Sequence, residues 1–350
     1  MLRIIKALPL ILLAGQSGCG GKKSSKNVPE VSPPFLSLGY IQELGEQPQD
    51  LSISGNYAAV ALGDGGVTIL GMANPANPIQ VGSYKSGAFS KNVALHGNSL
   101  FLFDRGLGLS LLDIKDPTNP NVVATLSNAS LGDVVFDVLA TDKVSGKNQL
   151  FIASQLNGVQ VFDIDEQGSL NKLAPLKDVD RVEASTSLVA SGKSLFVAEA
   201  NGGIAVFAHD GEAAIKKTSY FDISTKFPKA RISKIAQREN IIYAAAKQAG
   251  LVVVDFNRLD EPVLIENFSS VRNVQDVAIQ GSYILLLAYN SLDSDSELIF
   301  LQHDISGGSL TLLERQTLSF KPSALDAHGG FFYLLNDSGS LDVVNIRSVE

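Results

Sequence analysis

The sequence predicts an all-β protein: a seven-bladed β-propeller of four-stranded antiparallel blades, closed into a ring by its N-terminal strand. Three observations predict it. One five-residue apolar pattern returns seven times, at intervals of 42–50 residues. Each copy sits among short apolar runs of period two, with no helical period anywhere. The first strand-like run near the N-terminus matches the run that is missing after the last copy. Units of about 40–50 residues with four strands each are the mark of propeller blades.

The elements follow in order within each unit. First comes a strand pair with a tight turn, as in residues 50–62, 92–103 and 276–288. Gly-Asn or Gly-Ser between alternating runs marks a hairpin, because glycine supplies the positive φ a tight turn needs. Next comes the pattern itself, four mostly apolar residues closed by a small or polar one, at 67–71, 109–113, 159–163, 204–208, 251–255, 298–302 and 341–345. Gly66, Gly108, Gly158, Gly203 and Gly250 precede it in five of the seven copies. A Pro-rich turn and a last strand complete the unit at 74–84, 116–126 and 260–268. The chain ends just after its seventh pattern. Residues 33–44 echo residues 78–84, with Leu38, Gly39 and Tyr40 matching Val81, Gly82 and Tyr84. The segment Leu36–Glu43 is therefore expected to finish the last blade and remove the open edges of the ring.

Composition narrows the function classes. The chain has 350 residues, 45% hydrophobic and 18% charged, with a net charge of −8 and a single cysteine. There is ample apolar material for a core. One cysteine forms no internal disulfide and builds no Cys-based metal or redox centre. A pI near 5.1 argues against general nucleic-acid affinity. No phosphate loop, nucleophile elbow or dinucleotide fingerprint is present. No cofactor is expected.

The N-terminus reads as an address. Arg3 and Lys6 precede an apolar run of nine residues, 7–15, and then Gln16, Ser17, Gly18 and Cys19. A basic head, a short apolar run and a small-residue cut site form a secretory signal, too short to span a bilayer. Ser17, Gly18 and Cys19 resemble the lipobox of bacterial lipoproteins, with Gln16 in place of the usual leucine. That resemblance implies a signal peptide over 1–18 and lipidation of Cys19; the Gly, Ser, Lys and Pro that follow make 19–34 a flexible tether, and the repeats give the propeller 35–350. The lipobox resemblance further implies an envelope protein held by lipid at the outer membrane, facing the periplasm or the cell surface.

The repeats resemble the bacterial LVIVD repeat family. The resemblance rests on the hairpin glycine, the pattern, the Asp-Pro turn and the Val-Gly-Ser-Tyr strand, best seen in 50–84 and 250–255. It implies the propeller fold and a surface or envelope setting, without a single activity. Units three, four and six depart from it. Unit three has an insertion at 143–148, unit four lacks the double proline, and unit six has a polar insertion at 290–297.

The candidate site residues lie where the inner strands begin. Asp50, Asn92, Asp137, Ser187, Lys234, Asp276 and Ala324 occupy the equivalent first position of the seven units. Just upstream lie Lys91, Arg181, Arg231, Arg272 and Lys321, five bases from five blades that would form a positive collar on an acidic chain. Such a collar suits an acidic peptide, a lipid headgroup or a polysaccharide, and the partner expected is a protein, a peptide or an envelope polysaccharide. Local pairing of these bases with Asp133, Asp178 and Asp180 is the other reading. For the aspartates, capping of strand ends, contact with a partner, and metal binding all stay open. The four histidines, His96, His209, His303 and His328, are expected at turns or on the surface. Asp293, Asp295 and Glu297 alternate as calcium ligands do, but lack the glycine and terminal glutamate of a calcium loop. The function expected is a non-enzymatic binding platform acting as a monomer in protein–protein or cell–cell (host or prey) contact. The alternative is a metal-dependent hydrolase or lactonase using Asp50, Asn92, Asp137 and Asp276.

Overall fold

A computed structural model describes residues 36–346 apart from 46, 133, 145–146, 174–175, 177–183, 209–214 and 290–294. The predicted signal, Cys19 and the tether lie outside the described residues. So do Arg181, His209, Asp133, Asp178, Asp180 and Asp293.

Seven four-stranded antiparallel sheets stand around one axis. In six of them the strands follow chain order from the inside outward. In the seventh, the strands Pro322–His328, Phe331–Asn336 and Ser340–Ile346 are completed by Leu36–Glu43 on the outside. Leu36 pairs with Ile346 and Glu43 with Ser340, so the N-terminal strand closes the ring as the sequence predicts. The upper rim is where inner strands begin and the chain crosses to the next blade. The lower rim holds the hairpins that join first to second strands and the turns that join third to fourth.

The core explains why the pattern is apolar at nearly every position. Buried residues form seven clusters, one at each junction between neighbouring blades. Phe101 and Ile152 meet between blades 2 and 3, and Val60 and Leu335 between blades 1 and 7. A sheet packed on both faces has no solvent side, so its strands read as apolar runs. Burial of one such large side chain contributes about 1.5–3 kcal/mol.

The polar ends of the pattern have a local cause. Asp113 and Asp255 accept the backbone N–H two residues on, at 2.9 and 2.6 Å, and so fix the turn to the outer strand. The glycine before the pattern has one too. Gly66 and Gly108 sit at φ of 84° and 113°, and a Cβ on either would strike the carbonyl oxygen of Tyr84 or Leu126 in the outer strand. The Gly of Val-Gly-Ser-Tyr is required at Gly82, where a Cβ would collide with the Pro117 carbonyl of the next blade. Outer strands also share a register shift opposite the pattern, between Ile69 and Leu70 in blade 1 and between Val253 and Val254 in blade 5.

Two short helical turns were not expected. Asn128–Leu131 forms one turn in the crossing from blade 2 to blade 3, capped by Ser127 Oγ and ended by Gly132 at φ 65°. Ile223–Thr225 forms a 3-10 turn capped by Asp222. The insertion in unit three lengthens a hairpin, whose strands run Val135–Val144 and Lys147–Ser154.

Candidate functional site: the central channel and its upper rim

An inner strand leaves one edge without a strand partner, facing the channel. Its N–H groups need acceptors. Side chains of the preceding blade supply them. Asp50 of blade 1 accepts from Val93 N at 3.0 Å, and Ser52 accepts from Leu95 N at 3.0 Å. Asp137 of blade 3 accepts from Leu188 N at 2.9 Å. Ser187 of blade 4 accepts from Ile235 N at 3.3 Å. Asp276 of blade 6 accepts from Leu325 N at 2.9 Å. The second oxygen of each aspartate takes the N–H of the residue that follows it: Leu51, Val138 or Val277. Asn92 differs, since its amide donates to the Phe136 carbonyl at 3.1 Å and leans on Asp50 at 3.4 Å.

The blades thus bring Asp50, Asp137, Lys234 and Asp276 to one channel of about 580 Å³, with Asp326 beside them. Lys234 is the resident cation, and its ammonium reaches Asp137 at 3.4 Å. Burial by itself would lower the Lys234 ammonium. The carboxylates of Asp137, Asp50 and Asp276 outweigh burial and hold it above the usual lysine value. Burial drives the acids the other way. It raises Asp50, and it lifts Asp276 to about 6 and Asp326 to about 7, against the pull of Lys234. Among the described residues no three His, Cys, Asp or Glu side chains are grouped to hold a metal ion. Asp326 was missed in the sequence because only the first position of each inner strand was read. It lies two residues further in, where blade 1 has Ser52.

Four of the five predicted collar bases are described, and all lie on the upper rim. Arg231, Arg272 and Lys321 are exposed. The Lys321 ammonium lies 5.1 Å from the centre of the Tyr289 ring, and Tyr289 donates to the Pro322 carbonyl at 2.7 Å. Lys91 is half-buried. Burial first, and then Arg105, lower its ammonium, while Asp50 opposes them.

The histidines need one correction. His303 is 1% exposed, in the third strand of blade 6. Its Nδ1 lies 2.6 Å from Tyr243 Oη and 3.1 Å from Arg238 Nη2. A guanidinium only donates, so Nδ1 accepts and the imidazole is neutral with its proton on Nε2. Burial, and then Arg238, hold its pKa below the ordinary value. The sequence reading set this residue at the surface because it follows the pattern, where other blades have turns. Blade 6 instead extends its third strand through it.

Three stretches of the chain, residues 46–86, 88–127 and 232–269, match the LVIVD repeat. The chain is a β-propeller with LVIVD repeats. The matched LVIVD repeats are blades 1, 2 and 5. Blades 3, 4 and 6, which depart in the ways given above, lie outside the match, as does blade 7. No curated protein matches the chain in sequence. Solved structures do match the LVIVD-repeat propeller in shape. The computationally designed Ika8 protein has a TM-score of 0.58 at 13% identity, covering 89% of this chain and 100% of its own. Chaetomium thermophilum Raptor has a TM-score of 0.64 at 13% identity, over 91% of this chain and 30% of Raptor. Saccharomyces cerevisiae Sqt1 has a TM-score of 0.63 at 10% identity, over 89% of this chain and 85% of its own. At such identities the likeness shows the fold alone.

Proposed function

We propose that this protein is a non-enzymatic binding platform of the bacterial envelope, anchored by lipid at Cys19, which receives a protein, peptide or polysaccharide partner on the upper rim of the propeller. One observation carries the reading. The channel carboxylates Asp50, Asp137 and Asp276 are engaged in holding blade to blade, while Arg231, Arg272 and Lys321 stand exposed at the rim. Seven loop sets on a rigid ring offer a broad recognition face, and a propeller with LVIVD repeats fits a binding or scaffold role in general. The envelope setting rests on the Arg3 to Cys19 segment.

The test is crosslinking in cells with the full chain. Replacing Arg231, Arg272 and Lys321 together by glutamate is expected to abolish the crosslinked partner band while leaving the melting curve unchanged. Cys19→Ser is expected to move the protein from the membrane fraction to the soluble one. An unchanged band overturns these three bases as the partner's contact, and an unchanged fractionation overturns the anchor.

The convergence of Asp50, Asp137, Asp276 and Asp326 on one channel, with Asn92 beside Asp50, suits a second reading, a metal-dependent hydrolase or lactonase at the channel. A tightly bound divalent ion in the purified protein, with lactone or ester turnover lost in Asp276→Asn, would establish it in place of the platform.

A further inference from the structure

Ten large hydrophobic side chains are exposed among the described residues. Six of them, including Ile79, Val263 and Ile305, are scattered over outer strands and lower-rim turns. The other four, Leu107, Val134, Phe136 and Leu156, share the upper rim of blades 2 and 3, at 52, 53, 41 and 64% exposure. The backbones of Leu107, Val134 and Phe136 are pinned. The Leu107 carbonyl accepts from Asn128 N at 3.2 Å, and the Val134 carbonyl from Gln155 N at 3.0 Å. The Phe136 carbonyl accepts the Asn92 amide at 3.1 Å. Leu131 and Val135 are buried in the core beneath. Apolar anchors held ready on a rigid base lose little entropy on binding, and large apolar side chains exposed together on one rim suit an interaction site.

Two bases share the upper rim of blade 2 with Leu107. Arg105, two residues before Leu107, lies with its guanidinium 5.1 Å from the centre of the Phe89 ring. Lys91 adjoins Asn92, which holds Phe136. Among the described residues no carboxylate makes an ion pair with Arg105 or Lys91. We propose that the upper rim of blades 2 and 3 docks an acidic protein segment that carries bulky apolar anchors. The proposal rests on the platform reading and names the partner's chemistry. Two cations suit a short acidic segment, whereas an anionic bilayer calls for clusters of about 4–8; the other described rim bases, Arg231, Arg272 and Lys321, open blades 5, 6 and 7, away from the patch. The chain also enters the ring at Leu36 on the lower rim, the rim opposite the patch.

The test is a random-peptide phage selection on the full chain, counter-selected against the Leu107→Ser, Phe136→Ser double variant. The expected winners combine aromatic or large aliphatic residues with Asp or Glu. Synthesised, they should bind the unaltered protein at least tenfold more tightly than the double variant. Arg105→Glu should weaken them about tenfold as well. Leu156→Glu, at the most exposed of the four positions, should do the same without touching the core. Basic or uncharged winners overturn the proposal, as does binding indifferent to these changes. Patch-dependent binding to vesicles containing phosphatidylglycerol would assign the patch to lipid instead. Dimerisation abolished by Phe136→Ser would assign it to a second copy. The crosslinking test separates the two readings. If reversal of Arg231, Arg272 and Lys321 removes the cellular partner while the patch variants keep it, the acidic-segment proposal falls and the platform stands. If neither set affects it, the platform falls too.

Discussion

Asp326 and His303 give the molecule two opposed responses to pH. The folded state holds Asp326 near 7 and Asp276 near 6, above the ordinary value of 3.8. The native protein therefore binds more protons than the unfolded chain between those values. The stability these acids contribute is fully present below about pH 4 and is lost as pH rises through 6–7. Asp326→Asn should flatten that part of the profile, measured as melting temperature between pH 5 and 8. His303 acts the other way, since its folded pKa is depressed. Its contribution is present above the unfolded value of about 6.5 and fades as pH falls. His303→Gln should lower the melting temperature by a few degrees at pH 8, and by less at pH 5. A deficit that grows on acidification would refute the neutral imidazole. The sequence made Asp50, Asp137 and Asp276 legible, because repeats align equivalent positions. It hid Asp326 and His303, because a channel lining and a buried junction are set by contacts between blades, which no single repeat records.

A strand buried on both faces writes itself plainly into sequence, and so do the turns that join such strands. All seven third strands could be placed from their pattern alone. The one-turn helix Asn128–Leu131 could not, since it buries a single side chain, Leu131, and depends on a Ser127 cap. The glycine that opens the third strand is doubly constrained in blades 1, 2 and 5, by a positive φ and by the close approach of the outer strand. Gly108→Ala forces a Cβ toward the Leu126 carbonyl at φ 113°. It should cost about 1–3 kcal/mol, read as a shift of the urea midpoint at constant m-value. Gly106→Ala is the control, because it has a positive φ of 96° but open space around it. It should cost less. Equal costs would mean that backbone conformation alone, without the close approach, demands the glycine.

The ring as a whole is a set of near-equivalent junctions, and only the seventh blade is assembled from both ends of the chain. Linking residue 346 to residue 36 through a short Gly-Ser spacer, and opening the chain between Gly55 and Asn56, should yield a permutant that folds and melts within a few degrees of the parent. Loss of folding would mean that the order in which blades form matters as much as the junctions themselves. The closing strand has a further consequence, which is mechanical. Leu36 and Ile346 are partners at the lower rim. A load pulling those two ends apart would peel the strands one hydrogen bond at a time. A load applied at the upper rim and resisted through Leu36 would instead stress the paired positions from Leu36 to Glu43 together, in shear. The same strand is thus a weak zipper toward its own chain end and a firm clasp toward anything gripping the opposite face.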